Sequence, residues 1–453
     1  MVAQIENPNR SPARKGSGGQ GFVDILVFLI PCLWFVQFKI VGVLCGSDIL
    51  SLAVFFYLAF RQQMRLAARV GKWLVVLCSS WLAAQIVTDI VRQTAFRDLA
   101  RGWSNIGMTI VYLVVLWTLL SERPRRIVLY GWGLVLGSFL TFFVSPTEYM
   151  VDYPWKFGIA YPATFAVFLI ASRKECQGYL QITLSALIGV INIAAGTRNL
   201  GGACLAAALY LAVTRFIRRR SKGIPKLKAR SIASFAALTV LGLASVFWIY
   251  QFAATRGILG EDAREKYEVQ DSGRYGMLLG GRVEILGSLP AIYDSPILGH
   301  GSFARDPTYL FAAHQALAMM DYQNADEISG GDIAEGYIPT HSYIFGAWVS
   351  AGILGALFWG SVWFLTVRTL ARVYPSSVTL LPMASFAAFA LLWDVLFSPY
   401  GAEGRIISPY YIVMLMTCLS VTTPAGAQVL AAKLERSIKP ASKHPPLRES
   451  TQA

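Results

Sequence analysis

Long apolar runs, separated by short polar or basic connections, set the pattern of this chain. Runs of about 17–25 apolar residues predict helices able to cross a lipid bilayer. They fall at 22–40, 45–60, 72–91, 103–120, 127–145, 155–171, 178–195, 199–216, 232–252, 342–367, 378–397 and 407–423. The second is short and has Asp48 near its start; Pro31, Gly131, Gly133 and Pro162 lie inside others, where neighbouring helices tolerate them. The expected fold is an all-α polytopic membrane protein of about twelve transmembrane helices with one large extramembrane loop. Residues 1–21, polar, basic and rich in Gly and Ser, predict a disordered cytoplasmic tail with no cleavable signal. Helices 1–9 follow over 22–252, the large loop over 253–341, helices 10–12 over 342–423, and a cytoplasmic tail over 424–453. No convincing internal repeat is present.

Composition agrees with this pattern: 55% of residues are apolar and only 15% charged. The formal charge of +14 invites a nucleic-acid partner, but its distribution argues against one. Basic residues gather in "RQQMRLAARVGK", "SERPRR", "SRK", "RFIRRRSKGIPKLKARS" and "VRTLARV", as topology signals do. These loops and both termini are expected in the cytoplasm. The mixed or acidic connections, including 253–341, then face the bacterial periplasm across the inner membrane. One expected outer loop, 92–102, is discordant, carrying Arg92, Arg97 and Arg101.

Within 253–341, "GGRVEILGSLPAIYD" predicts an amphipathic helix with Val283, Ile285, Leu286 and Leu289 on its apolar face. "SPILGHGS" then reads as a turn. The six cysteines are scattered and form no CxxC, so neither a disulfide framework nor a thiolate metal site is supported. There is no HExxH, no GxxxxGK[ST], no GxSxG and no DxD, which leaves a chemistry with no metal or cofactor.

His341 precedes the tenth run, at the expected outer interface. It has two readings: an interfacial cap, since Pro339 and Thr340 stand where a helix should begin, or a general base for a hydroxyl. Arg198, in the short connection "GTRN", either snorkels to the interface or grips a diphosphate with its fork. Arg282, at the start of the amphipathic helix, is either a solvated charge or part of the same anion site. Arg92, Arg97 and Arg101, at spacings of five and four, fall on one helical face and either line the outer cavity or serve as juxtamembrane charge. Arg405 in the last outer loop is a further substrate-binding candidate, and Asp89 and Asp394 are candidate counter-charges within spans. His300 and His314 read as turn and loop residues, and His444 belongs to the tail.

Three stretches together resemble the O-antigen ligase and O-antigen polymerase superfamily. "GTRNLGGACLAAALYLAV" is similar to its arginine followed by a small-residue span. "GGRVEILGSLPAIYDSPILGHGS" is similar to its arginine helix leading to a Pro and Gly-x-Gly turn, and "PTHSYIFGAWVSAGILGALFW" to its histidine and glycine-containing helix. The chain departs from many members at Ser342, where Asn or a second His follows the histidine.

The resemblance implies a GT-C-like membrane glycosyltransferase. Its donor is a polyprenyl-diphosphate-linked glycan, and its acceptor a glycan or a lipid A-core. Membrane lipids, a chain-length regulator and a flippase are the partners it points to. Arg198 and Arg282 would then hold the diphosphate and His341 would take the acceptor's proton, with inversion at the anomeric carbon. Polymerase and ligase both remain open. The rival from another class is a transporter or flippase of a lipid-linked saccharide, for which internal repeats would be expected.

Overall fold

The computed structural model describes residues 17–40, 42–64, 69–121, 123–220, 248, 251–258, 260–272, 284–322, 336–373 and 380–421. The expected ninth run lies almost entirely outside the described residues, as do Arg282 and Val283.

The described residues form sixteen α-helices, α1 to α16 in chain order. They are α1 Ser17–Cys32, α2 Gly46–Phe60, α3 Arg69–Val91, α4 Phe96–Leu120, α5 Pro124–Val144, α6 Glu148–Asp152, α7 Ala160–Ala171 and α8 Tyr179–Ala194. They continue with α9 Arg198–Arg220, α10 Glu261–Asp271, α11 Glu284–Asp294, α12 Pro307–Met319, α13 Tyr343–Ala351, α14 Ile353–Val373, α15 Leu381–Phe397 and α16 Gly404–Val421. The chain is an all-α polytopic membrane protein. Among the described residues six helices are long and apolar enough to cross a bilayer: Val70–Val91, Phe96–Leu120, Pro124–Val144, Pro154–Ala171, Arg198–Ile217 and Ile353–Arg372. Four further expected runs lie on shorter apolar helices, Gly21–Phe35, Gly46–Phe60, Tyr179–Ala194 and Leu381–Phe397. The last lies on α16.

Helices that are apolar all round sit either in a protein core or in lipid, and the core takes the most enclosed stretches. It takes α15, whose residues Leu381 to Ala388 are consecutively buried, and most of α16. Around them Tyr112 of α4, Phe165 and Phe168 of α7, Trp359 of α14 and Tyr410 of α16 fill one large core. The outer faces of α2, α3, α8 and α14 leave Phe60, Trp73, Val190 and Phe364 exposed, as lipid-facing positions require. Helices α1 and α5 meet through Gly133 and Gly137. A Cβ on either would lie 2.2 Å from the Phe28 carbonyl oxygen or 2.4 Å from that of Pro31, so only glycine allows this close approach.

Two expected spans are interrupted. The run 22–40 stops being helical after Phe35, and Gln37–Lys39 pairs with Val43–Cys45 as an antiparallel hairpin (β1 and β2), beside Gly42 at φ +99°. The run 342–367 is broken at Gly352, whose φ of +67° ends α13 before α14 begins.

The described parts of 253–341 pack onto the bundle. Helix α11 forms where the amphipathic pattern places one, but on a shifted face: Gly287, Ser288, Ala291 and Ile292 are buried, whereas Leu289 is exposed. Ala291 and Ile292 join Tyr309, Ile338 and Val349 in a second small core between α11, α12 and α13.

Candidate functional site

The helix break supplies the surface that receives the loop. With α13 ended at Gly352, the carbonyls of Val349 and Ser350 lack continuing helical donors. They accept instead from His300 N at 2.7 Å and Gly301 N at 3.0 Å. The expected "SPILGHGS" turn thus docks edge-on against α13, with Gly299 and Gly301 both at positive φ. His300 belongs to this turn, its Nε2 lying 2.7 Å from the Ala291 carbonyl oxygen.

Asp89, at the end of α3, is the second anchor of the same turn. Its carboxylate accepts from Ser302 N (2.6 Å), Ser302 Oγ (2.8 Å), Thr94 Oγ1 (2.9 Å) and Trp103 Nε1 (2.7 Å), so neutral donors hold it. Arg92 completes the clamp, donating to the Gly299 carbonyl at 3.1 Å and to Ser295 Oγ at 2.9 Å. Arg92, Arg97 and Arg101 do not share one helical face. Helix α3 ends at Val91, Gln93 turns the chain at φ +52°, and α4 starts at Phe96. Arg101 lies 3.9 Å from Asp98 and 4.0 Å above the Phe303 ring, and Arg305 donates to Asp98 at 2.8 Å. Arg97 is exposed at the start of α4.

Arg405 is buried and committed. It donates to Asp48 from Nε at 3.2 Å and from Nη2, and to the Val43 carbonyl at 2.6 Å. Asp394 accepts from Ser398 Oγ at 2.7 Å. Neither expected counter-charge within a span, Asp89 or Asp394, is paired with an arginine among the described ion pairs.

At the start of α13 the helix cap is Ser342, not His341. The buried Ser342 Oγ accepts from Phe345 N at 3.3 Å and donates to the Val395 carbonyl at 2.9 Å. The imidazole is released from that duty. Half-exposed, it faces Glu284 at the start of α11, with Nδ1 3.5 Å from Oε1. The second oxygen of Glu284, Oε2, is buried with no hydrogen-bond partner among the described residues. Arg282, two residues earlier, is outside the described residues.

Sequence reasoning missed Glu284 and the break at Gly352, and it gave Asp89 a counter-charge role where the structure gives it neutral donors. The available signals were an acid inside an apolar amphipathic stretch and Gln85 and Asp89 one turn apart in an expected span.

Helix directions place Arg198 at the same end of the bundle as His341. Thr214 and Arg215 of α9 line a cavity with Leu381 at the start of α15, and Tyr210 lies 6.2 Å from Phe389 further along it, so the two helices run antiparallel. Arg198 opens α9, about 18 Å beyond Tyr210 at the helical rise. Val395, near the other end of α15, touches Ser342.

An open apolar groove of about 590 Å³ begins beside this end. Ile344 and Trp348 of α13 line its start, and it continues between α3 and α14 past Trp73, Leu77, Leu357 and Phe364. Ile344, at its start, follows His341 by three residues.

Residues 183–360 match the family model described as O-antigen ligase. That segment runs from α8 into α14 and contains Arg198, Arg282, Glu284 and His341, whereas Arg92, Arg97, Arg101 and Arg405 lie outside it. No curated protein and no solved structure matches the chain.

Proposed function

We propose, from the premise that the chain belongs to the O-antigen ligase and polymerase superfamily, that it transfers a polyprenyl-diphosphate-linked glycan to a sugar hydroxyl at the periplasmic face of the inner membrane. The observation that carries this reading is the pairing of His341 with Glu284 beside an apolar groove, at the end of the bundle where α9 presents Arg198.

The acceptor hydroxyl gives its proton to His341 Nε2 as its oxygen forms the bond to the anomeric carbon. The bond from that carbon to the diphosphate oxygen breaks in the same step, and the diphosphate leaves as an anion. Arg198 and Arg282 neutralise the growing charge by bidentate hydrogen bonding. Glu284, whose Oε1 lies 3.5 Å from Nδ1, orients the imidazole so that Nε2 faces the acceptor. The groove takes the isoprenoid chain, so that donor positioning comes from apolar burial away from the reacting atoms. Diphosphate is a good leaving group, and the step is written without a metal. One displacement inverts the anomeric centre.

Arg405, buried on Asp48, serves the fold in this reading, and Arg92 serves the turn. Arg97, exposed, and Arg101, beside Asp98 and the Phe303 ring, are assigned to the acceptor or to lipid phosphates.

The test is His341→Ala in purified protein supplied with lipid-linked donor. Turnover should fall by about 10²–10⁴-fold, the usual share of a general base, with donor binding retained. Turnover within a few-fold of wild type overturns the assignment of His341, and a product of retained configuration overturns the single displacement. No transfer by the wild type, with movement of the lipid-linked saccharide unaffected by the substitution, favours the transporter reading. Arg198→Ala should fold normally and lose donor affinity.

A further inference from the structure

The opposite end of the bundle carries a second cavity, and glycan transfer makes no use of it. It has a volume of about 210 Å³ and forms where α8 and α15 begin and α9 ends, lined by Gln181, Leu211, Thr214, Arg215, Arg219 and Leu381. Arg215 and Arg219, one turn apart on α9, lie over the same ring, with guanidinium carbons 4.6 Å and 5.2 Å from the centre of Tyr179. Arg219 also donates to the Tyr179 hydroxyl at 2.8 Å. Arg215 Nε is buried with no hydrogen-bond partner among the described residues. Its Nη atoms sit 3.3 Å from where a Cβ on Gly178 would be, so the glycine leaves the fork its room.

This arrangement is incomplete as it stands. Like charges one helical turn apart repel each other. No acid lines the cavity, and neither arginine forms an ion pair among the described residues. A buried guanidinium N–H without an acceptor is costly, and a guanidinium fork matches the geometry of a phosphate. The apolar wall of Leu211 and Leu381 does not suit a free, fully hydrated anion. It suits a phosphate that enters with acyl chains attached. Basic cavities between helix ends on the side of the basic loops take anionic lipid headgroups for these reasons.

We propose that this cavity binds the phosphate headgroup of an anionic membrane phospholipid, with Arg215 and Arg219 as its two anchors and Tyr179 holding them side by side. The partly buried Arg215, with its Nε unpartnered among the described residues, carries the specificity for phosphate over a merely diffuse negative surface.

The test uses the full chain in nanodiscs and in detergent. Native mass spectrometry compares retention of phosphatidylglycerol and cardiolipin with that of phosphatidylethanolamine, and heat protection by inorganic phosphate is measured alongside. The wild type should retain the anionic lipids preferentially. The double variant Arg215→Gln/Arg219→Gln should bind them about thirtyfold more weakly and lose the preference. Arg219→Gln alone changes an exposed side chain, so it folds as the wild type does, and should weaken retention about fivefold. The proposal is overturned if the wild type shows no preference or the Arg219→Gln protein retains anionic lipid unchanged. Protection by inorganic phosphate equal to that by lipid also overturns it, because the site would then be one for a free anion.

Discussion

Removing the Arg405 guanidinium should unfold this protein before it affects its chemistry. Asp48 is fully buried, and its carboxylate accepts from Cys45 N at 2.8 Å, from Tyr112 Oη at 3.1 Å and twice from Arg405. Arg405→Met deletes the only positive charge among these partners and leaves a buried carboxylate with two neutral donors. Breaking a buried pair from one side costs about 3–5 kcal/mol, because the remaining charge keeps its desolvation penalty without the Coulombic gain. The Val43 carbonyl also loses its donor, for about another 1 kcal/mol. The double variant Asp48→Leu/Arg405→Met removes both charges and should recover most of the loss, since apolar replacement of a whole buried pair is often near neutral. The assay is the heat-induced aggregation midpoint of the purified protein in one detergent, read for the two single variants and the double, beside donor binding. A single Arg405→Met protein that melts with the wild type but binds donor tenfold more weakly would refute the reasoning. It would return Arg405 to the substrate-contact role that its outer-loop position first implied.

Other substitutions separate the site from its supports. Glu284→Gln keeps the size of the side chain but donates toward His341 through its amide; we expect kcat to fall by about 10²-fold with KM little changed, and an unchanged kcat would remove Glu284 from the mechanism. Gly352→Ala puts a Cβ 1.8 Å from the Ile297 carbonyl oxygen at φ +67°; hydrogen exchange at the His300 and Gly301 amides should accelerate as the turn detaches from α13. Ser342→Ala should cost about 1 kcal/mol as a lost helix cap, whereas Ser342→Asn, which also caps well, should be nearly neutral in the same melting assay. Equal losses in both variants would show that the bond to the Val395 carbonyl, not the cap, is what matters at Ser342.

The hydropathy pattern located most of the described spans because bilayer thickness fixes a minimum apolar length, and α3, α5, α8 and α9 begin and end within a few residues of the runs that predicted them. It could not see the two interruptions. Phe38, Ile40 and Val43 are as apolar in a hairpin as in a helix, and the apolar pattern continues past Gly352 without a change. Charge pairing was less legible still. Arg405 meets Asp48, 357 positions earlier in the chain, and Arg126 meets Asp24, whereas the span acids singled out as counter-charges took hydroxyl, indole and backbone donors. Pattern along one chain reports exposure and period, and partners across the bundle are set by packing.

The spacing of His341 and Glu284 illustrates how packing does this. The two residues belong to segments that run past each other, and their own contact, at 3.5 Å, is too long to fix that register. The register is fixed one turn further along α11. There the buried Ser288 Oγ donates to the Pro339 carbonyl at 2.6 Å, and the missing side chain of Gly287 lets the Pro339 ring close in. Glu284 is one turn before Ser288 and His341 two residues after Pro339, so the imidazole and the carboxylate meet as a consequence of a bond that neither makes. The same segment is held at its other side by Ile338 N on the Ala304 carbonyl, just after the turn that Asp89 and Arg92 clamp to the bundle. Side chains of neutral donors and small residues thus carry the geometry, and they hold a half-exposed imidazole against a largely buried carboxylate.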